Sequence, residues 1–165
     1  ISQRLQDNKD DLYIFSEVPT MQNIIATAFM ENHLTVIAPQ EYSGPNHCHL
    51  KDLQHQKFLV REPGSATHQV LVKYCQQHQI KLSNIMLIES NEAIHLAVAS
   101  GLGIAVLSQH TLNQSAMGGI KELNVVDFPI INQLYTVTLK NRQQSVSSDK
   151  FKYHLGNHGR LTSVY

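Results

Sequence analysis

Short apolar runs alternate with amphipathic segments along most of the chain, separated by Pro, Gly and polar clusters. The apolar runs favour buried strands, whereas apolar residues at a spacing near 3.6 favour helices. We predict strands at 11–16, 33–39, 57–60, 84–90, 103–108, 120–128 and 133–140. We predict helices at 2–8, from about 65 onward, at 91–101, at 109–114 and at 147–155, with a stop at Gly156. This alternation predicts parallel α/β layers.

Residues 21–32 fit two interpretations. As a helix, the segment would place Ile24, Ile25, Ala28 and Phe29 on one face. A short apolar segment of this kind is also compatible with a strand. The sequence leaves both alternatives open.

Three loops lie where predicted strands end, at 16–19, 62–67 and 89–92. Ligands of open α/β sheets bind outside the carboxyl ends of the strands. Because these loops lie at such strand ends, they are the predicted location of a binding site.

The second of these loops has the features of an anion site. A helix start has unpaired backbone N–H groups and a partial positive charge, which stabilise a bound phosphate or carboxylate. Gly64 allows the backbone to approach a ligand, and Ser65 and Thr67 add hydroxyl groups. The alternative is that Ser65 only caps the helix, because Ser is common at that position.

The next strand-to-helix junction repeats the pattern, with Ser90 or Asn91 as the candidate N-cap. Glu89 or Glu92 could accept a hydrogen bond from a ligand hydroxyl. For Glu92 we prefer the simpler interpretation that a first-turn carboxylate stabilises the helix start. Gly101 is predicted to end this helix.

Composition and charge argue against several function classes. The 165 residues include 13 basic and 13 acidic side chains, so no basic surface predicts nucleic-acid binding by this chain. No apolar run is long enough to predict a membrane span. Cys48 and Cys75 are predicted to be free thiols. His47, Cys48 and His49 are predicted to form a polar loop and no metal site, because a structural zinc site uses paired, separated ligand clusters.

Catalytic signatures do not support an enzyme. The sequence has no Walker loop, HExxH or GxSxG motif, and we predict no cofactor. Gly101 and Gly103 follow a helix and precede a strand, the reverse of the order in a dinucleotide-binding loop. Ser65 and His68 are close in sequence, but such closeness does not predict a catalytic triad.

Two segments together carry a family resemblance, REPGSATH (61–68) and ESNEAIHLAVASGLGIAVLS (89–108). They resemble the effector-binding domain of LysR-type transcriptional regulators, in which an Arg-Glu-Pro-Gly-Ser-Gly-Thr turn precedes a helix. LQDNKDDLYIFSEVP (5–19) and LTVIAP (34–39) resemble two further elements of that domain. The resemblance covers about residues 3–140.

The resemblance implies a two-lobed, periplasmic-binding-protein-like (type 2) α/β fold. Residues 1–38 and 131–165 would form the first lobe and residues 41–129 the second, with Pro39 at the hinge and a small effector between the lobes. The first lobe would be incomplete in this chain. The parent would be a cytoplasmic, bacterial homodimer or homotetramer that binds DNA through an absent N-terminal helix-turn-helix, without a membrane partner.

The resemblance also implies the residues of the effector site. They are Ser16, Glu17, Glu62, Gly64, Ser65, Thr67, Gly103 and Ile104. The chain differs from the family at Ala66, where a Gly is usual, and at His68, where an Arg is usual. An Arg could pair with a ligand charge, whereas His68 does so only when it is protonated.

These inferences predict an effector-sensing domain that binds a small anionic metabolite and so controls DNA binding by its parent. The alternative is a solute-binding protein of a transporter, which shares the fold and would carry an export signal. An enzyme on this scaffold would need a nucleophile–base pair or a metal cluster, and the sequence offers neither.

Overall fold

A computed structural model describes residues 1–114 and 118–159 of the chain. The strands are β1 (Tyr13–Phe15), β2 (Ile24–Pro39), β3 (His47–Cys48), β4 (Lys57–Val60), β5 (Asn84–Leu87), β6 (Ile104–Ser108), β7 (Ile120–Val125) and β8 (Ile130–Leu139). The helices are α1 (Ser2–Gln6), α2 (Ala66–Gln77), α3 (Asn91–Ala99), α4 (Gln109–Gln114) and α5 (Val146–Gly159), and a 3₁₀ turn spans Leu50–Leu53.

The chain forms two compact units. Residues 1–32 and those from 132 onward make the first unit, and residues 33–131 make the second. The chain passes between them twice, within β2 and within β8. By this division the first crossing lies between residues 32 and 33, within β2, which continues unbroken to Pro39. Pro39, the predicted hinge residue, is the last residue of β2.

Two parts of the predicted lobes lie outside the described residues. These are 115–117, assigned to the second lobe, and 160–165, assigned to the first. Within the described part, α5 continues past the stop predicted at Gly156. Gly costs only about 1 kcal/mol relative to Ala in a helix, so a single Gly does not have to end one.

The first unit is built on antiparallel pairing. β1 pairs with β8, with Tyr13 opposite Val137, and β2 lies on the other side of β8. Leu5 of α1 packs with Tyr13 and Val137, and all three are at most 4% exposed. The Tyr13 hydroxyl donates to the carbonyl of Arg4 and accepts from the N–H of Asp10, which fixes α1 beside the sheet.

In the ambiguous segment 21–32, residues 24–32 form the first part of β2 and residues 22–23 form a turn. Two side chains of β8 bind backbone carbonyl oxygens of β2. The Gln133 amide donates to the Met30 carbonyl oxygen at 2.8 Å, and the Thr136 hydroxyl donates to the Thr27 carbonyl oxygen at 3.3 Å. Ile25, which the helical interpretation would have buried, is 51% exposed. Pairing with β8 therefore decides between two conformations that the local pattern permits equally.

The second unit contains a mixed sheet in the order β2-β6-β4-β5, and β7 pairs with both β2 and β3. β4 runs parallel to β5 and β6, whereas β2 is antiparallel to β6 and β7. All five residues of β6 are buried, so both faces of this strand are covered.

Alternation along the strands of the second unit produces two cores, one on each face of the sheet. Phe58 and Val60 of β4 pack in the core that includes Leu71 of α2. Leu59 packs in the other core with Ile94 of α3. The two helices therefore cover opposite faces, and both begin just after parallel strands that pair with each other.

Candidate functional site

The loop between β4 and α2 has the backbone conformation that the sequence predicts. Ser65 is the N-cap of α2, with extended backbone angles (φ −72°, ψ 147°), and its hydroxyl oxygen accepts from the N–H of His68 at 3.1 Å. Gly64 has φ +99°, a left-handed conformation that favours glycine. The Ser65 N–H donates to the Glu62 carbonyl oxygen, which closes the turn.

The cap leaves other donors of this helix start available. Residues 66 and 67 occupy the first two helical positions, whose N–H groups point out of the helix and have no intrahelical acceptor. Capping by Ser65 engages only the N–H of His68. Helix capping and anion binding are thus compatible at α2, and the two sequence-based interpretations do not exclude each other.

The start of α3 is arranged in the same way. Ser90 is the N-cap, and its hydroxyl oxygen accepts from the N–H of Ala93 at 3.2 Å. The same hydroxyl donates to the Glu92 carboxylate at 2.6 Å, and this hydrogen bond is the main cause of the lowered pKa of Glu92. The carboxylate of Glu92 is therefore held at its own helix start, as the simpler interpretation predicts.

Arg61 connects the two helix starts. Its guanidinium donates to the Asn91 amide oxygen at 2.5 Å, and two of its nitrogens donate to the two carboxylate oxygens of Glu62 at 2.8 and 2.9 Å. Arg61 was not among the predicted site residues. The available signal was a lone cation placed directly after the buried strand 57–60, where a charged side chain reaches the end of the sheet.

His68 stabilises the same loop from the helix side. Its Nδ1 lies 2.7 Å from the carbonyl oxygen of Arg61. Because a carbonyl oxygen only accepts, Nδ1 carries the hydrogen and Nε2 is left for other contacts. The pKa of Glu62 is lowered mainly by its hydrogen bonds from Arg61, and the nearby His68 ring contributes in the same direction.

Gly103 and Ile104 lie at the other end of the parallel strands. A side chain at Gly103 would come within 2.4 Å of the Lys57 carbonyl oxygen, and Lys57 begins the strand that Arg61 follows. Ile104 pairs with Phe58 and is 1% exposed, inside the core. The structure thus gives these two residues a packing role and separates them from the loop that precedes α2.

The predicted site residues of the first unit directly follow β1. Ser16 is partly buried and Glu17 is exposed. They occupy the carboxyl end of a strand, as the sequence-based argument expects.

The described residues offer no metal site and two buried thiols. Residues 1–114 and 118–159 include no group of three or more His, Cys, Asp or Glu side chains placed to hold a metal ion. Cys48 and Cys75 are buried free thiols, and burial raises the pKa of each. No helix within these residues has both the length and the apolar character to span a membrane.

Sequence comparison places this architecture in a family. The profile described as the LysR substrate binding domain matches residues 1–160. The chain belongs to the LysR substrate-binding domain family. This confirms the resemblance inferred from the turn at 61–68 and the segment 89–108.

Two relatives of this LysR domain are transcriptional regulators. The RuBisCO operon transcriptional regulator of Acidithiobacillus ferrooxidans is 35% identical over 159 residues, which are 93% of this chain and 50% of that protein. The HTH-type transcriptional activator CmpR of Synechocystis sp. is 32% identical over 167 residues, 99% of this chain and 55% of that protein. The LysR domain therefore spans about half the length of the curated relatives that it matches.

A solved structure confirms the fold of the LysR domain. The Synechocystis PCC6803 CcmR regulatory domain, in complex with 2-PG, superposes with a TM-score of 0.83 and is 34% identical. The match covers 96% of this chain and 78% of that one. The fold is thus the type 2 periplasmic-binding-protein-like α/β fold of LysR effector-binding domains, as predicted.

Proposed function

We propose that this LysR domain senses a small anionic metabolite at the linked starts of α2 and α3. The observation that carries the proposal is the contact between Arg61 and Asn91, which holds two capped helix N-termini side by side at one end of the parallel strands. Each N-terminus carries partial positive charge, so their pairing favours a ligand with negative charge. Within this loop we retain Gly64, Ser65 and Thr67 as proposed contacts.

We propose a phosphorylated carboxylate as the class of effector. The CcmR regulatory domain binds 2-PG, and the relatives include a regulator of the RuBisCO operon. 2-Phosphoglycolate carries a phosphate and a carboxylate, which gives one anionic group for each helix start. It is accordingly the first effector to test.

DNA binding and oligomerisation are proposed for a longer parent protein that contains this domain. By analogy with its relatives, the parent is a bacterial, cytoplasmic regulator that binds DNA through a helix-turn-helix outside this chain and works as a homodimer or homotetramer. The domain itself would bind and release its effector without catalysis. Ser16 and Glu17 of the first unit are proposed as further effector contacts.

Alanine substitution of both hydroxyl residues tests the site. The double variant Ser65→Ala/Thr67→Ala is expected to bind 2-phosphoglycolate at least about tenfold more weakly in calorimetric titration. Loss of the Ser65 cap is expected to lower the free energy of unfolding by about 1 kcal/mol, which leaves the domain folded.

Ser145→Ala is the matched control. The Ser145 hydroxyl oxygen accepts from the N–H of Ser148 at the start of α5, in the first unit, so this variant also loses a helix cap. It also loses the hydrogen bond from Ser145 to Asp11, so it should lose at least as much stability, and it should keep the affinity of the unsubstituted domain. Equal affinity in the Ser65/Thr67 double variant would refute the site.

A further inference from the structure

The guanidinium of Arg61 is already paired with an anionic group of its own chain. Glu62 places both carboxylate oxygens against two guanidinium nitrogens, at 2.8 and 2.9 Å. A third nitrogen donates to Asn91. Two parallel hydrogen bonds to one carboxylate are the geometry in which Arg binds carboxylate and phosphate ligands. We call these two guanidinium N–H donors the fork of Arg61. Glu62 thus occupies the fork that an anionic ligand would use.

The two partners of this pair are held unequally. The Arg61 side chain is 18% exposed and is fixed by Asn91 at a second point. The Glu62 side chain is 33% exposed, and its carboxylate is held by Arg61 and by a hydrogen bond within Glu62 itself. Rotation of the Glu62 side chain towards solvent would therefore expose the fork while Arg61 stays in place.

The surroundings of the fork favour an incoming anion. Ser65, the N-cap of α2, lies in the same turn, so the partial positive charge of the helix start is nearby. The ring of His68 is hydrogen-bonded to the carbonyl of Arg61 and interacts electrostatically with Glu62. A ligand with more negative charge than one carboxylate, such as a phosphate, gains more from these groups than Glu62 does.

We propose that Arg61 is the anion receptor of this domain and that the Glu62 carboxylate occupies it until an anionic effector displaces Glu62. The inference rests on the proposed function and assigns the residue that recognises the ligand. It reverses the role that the family resemblance implies for Glu62, from a ligand of the effector to its competitor. The sequence-based role predicts weaker binding without the carboxylate, whereas displacement predicts tighter binding.

Whether Glu62→Gln tightens or weakens ligand binding decides between these two roles. If the fork is blocked about nine-tenths of the time, removal of the competing charge tightens apparent binding about tenfold. Arg61→Lys retains the positive charge but loses the fork, so its affinity should fall about tenfold or more. Titration calorimetry with 2-phosphoglycolate and, separately, with inorganic phosphate measures both variants.

Glu92→Gln is the charge-matched control. Glu92 sits at the neighbouring helix start and is hydrogen-bonded to Ser90, and it is not among the proposed contacts. If Glu62 acted only through general negative charge, both Gln variants would tighten binding similarly. Displacement predicts a clearly larger gain for Glu62→Gln. Glu62→Ala serves as a second variant, and thermal melting shows that each protein is folded.

The two probes separate the receptor from the proposed effector. Tighter binding of both probes by Glu62→Gln supports the receptor assignment. If only the Glu62 variants bind inorganic phosphate and no protein binds 2-phosphoglycolate, the receptor stands and the proposed effector fails. Unchanged or weaker 2-phosphoglycolate binding by both Glu62 variants, or a gain matched by Glu92→Gln, overturns the displacement. If none of these proteins binds either probe, both proposals are overturned.

Discussion

His95 is a buried polar residue with no hydrogen-bonding partner within residues 1–114 and 118–159. It lies on α3, is 3% exposed, and neither ring nitrogen has a partner among the described residues. Buried polar atoms are normally hydrogen-bonded, and an unsatisfied one costs about 1–3 kcal/mol. In the sequence His95 stands between apolar residues of α3, with no pattern that marks its burial.

Replacement of His95 by an apolar residue of similar size is expected to stabilise the domain. His95→Leu should raise the free energy of unfolding by about 1 kcal/mol, because the desolvated ring nitrogens are removed. Urea denaturation followed by circular dichroism measures the change. His95→Asn keeps a polar side chain and should not give the gain. A less stable His95→Leu protein would mean that the ring is hydrogen-bonded in solution.

Side-chain roles set by local geometry were predictable, and those set by strand pairing were not. Ser65 and Ser90 cap helices through bonds to N–H groups three residues further on, so the sequence identifies both. The contact between Arg61 and Asn91 joins residues thirty positions apart. It exists because β4 and β5 pair in a register that ends both strands at the same edge, which no local pattern specifies.

At the scale of elements, the predicted order of strands and helices agrees with the structure wherever one local pattern dominated. The strand at 57–60 and the helix that follows it are examples. The first part of β2 was ambiguous because its partner β8 lies about a hundred residues away in the chain. β3 was not predicted, because two residues are too few for a pattern.

Alanine substitution at two glycines in different elements should change the free energy of unfolding in opposite directions. Gly103→Ala places a methyl group 2.4 Å from the Lys57 carbonyl oxygen, where β6 begins beside β4, and should cost about 1–3 kcal/mol through overpacking. Gly156→Ala lies on α5 with open space around the new methyl group, and should gain up to about 1 kcal/mol from helix propensity. Chemical denaturation of both proteins measures whether each free energy of unfolding falls or rises. Equal effects would contradict the close approach at Gly103.

At the scale of the whole molecule, acid should lower the stability of the first unit through two carboxylates, and the effect should be modest because solvent screens exposed ion pairs. Hydrogen bonding to Arg4 lowers the pKa of Asp10, and bonds from Ser145 and then Arg142 lower that of Asp11. A carboxyl with a lowered pKa contributes stability above its ordinary value of 3.8, and that contribution is lost as pH falls through the lowered value. The first unit should therefore lose stability as the pH drops below about 4.

Removal of both carboxylates tests this pH dependence. The variant Asp10→Asn/Asp11→Asn should melt at a lower temperature than the unsubstituted chain near neutral pH, and the difference should shrink as the pH approaches about 3. Thermal melts in steps of pH measure the two curves. High salt screens exposed ion pairs and should also reduce the difference. Parallel curves at every pH would contradict the assignment.

The two crossings of the chain have a consequence for how the molecule assembles. The second unit is an uninterrupted stretch, whereas the first joins residues from near both ends, as the pairing of Tyr13 with Val137 shows. Closing a long loop costs conformational entropy before its contacts form, which slows such pairings. We therefore expect the helix starts that hold Arg61 and Asn91 to form before the two separated segments of the first unit pair with each other.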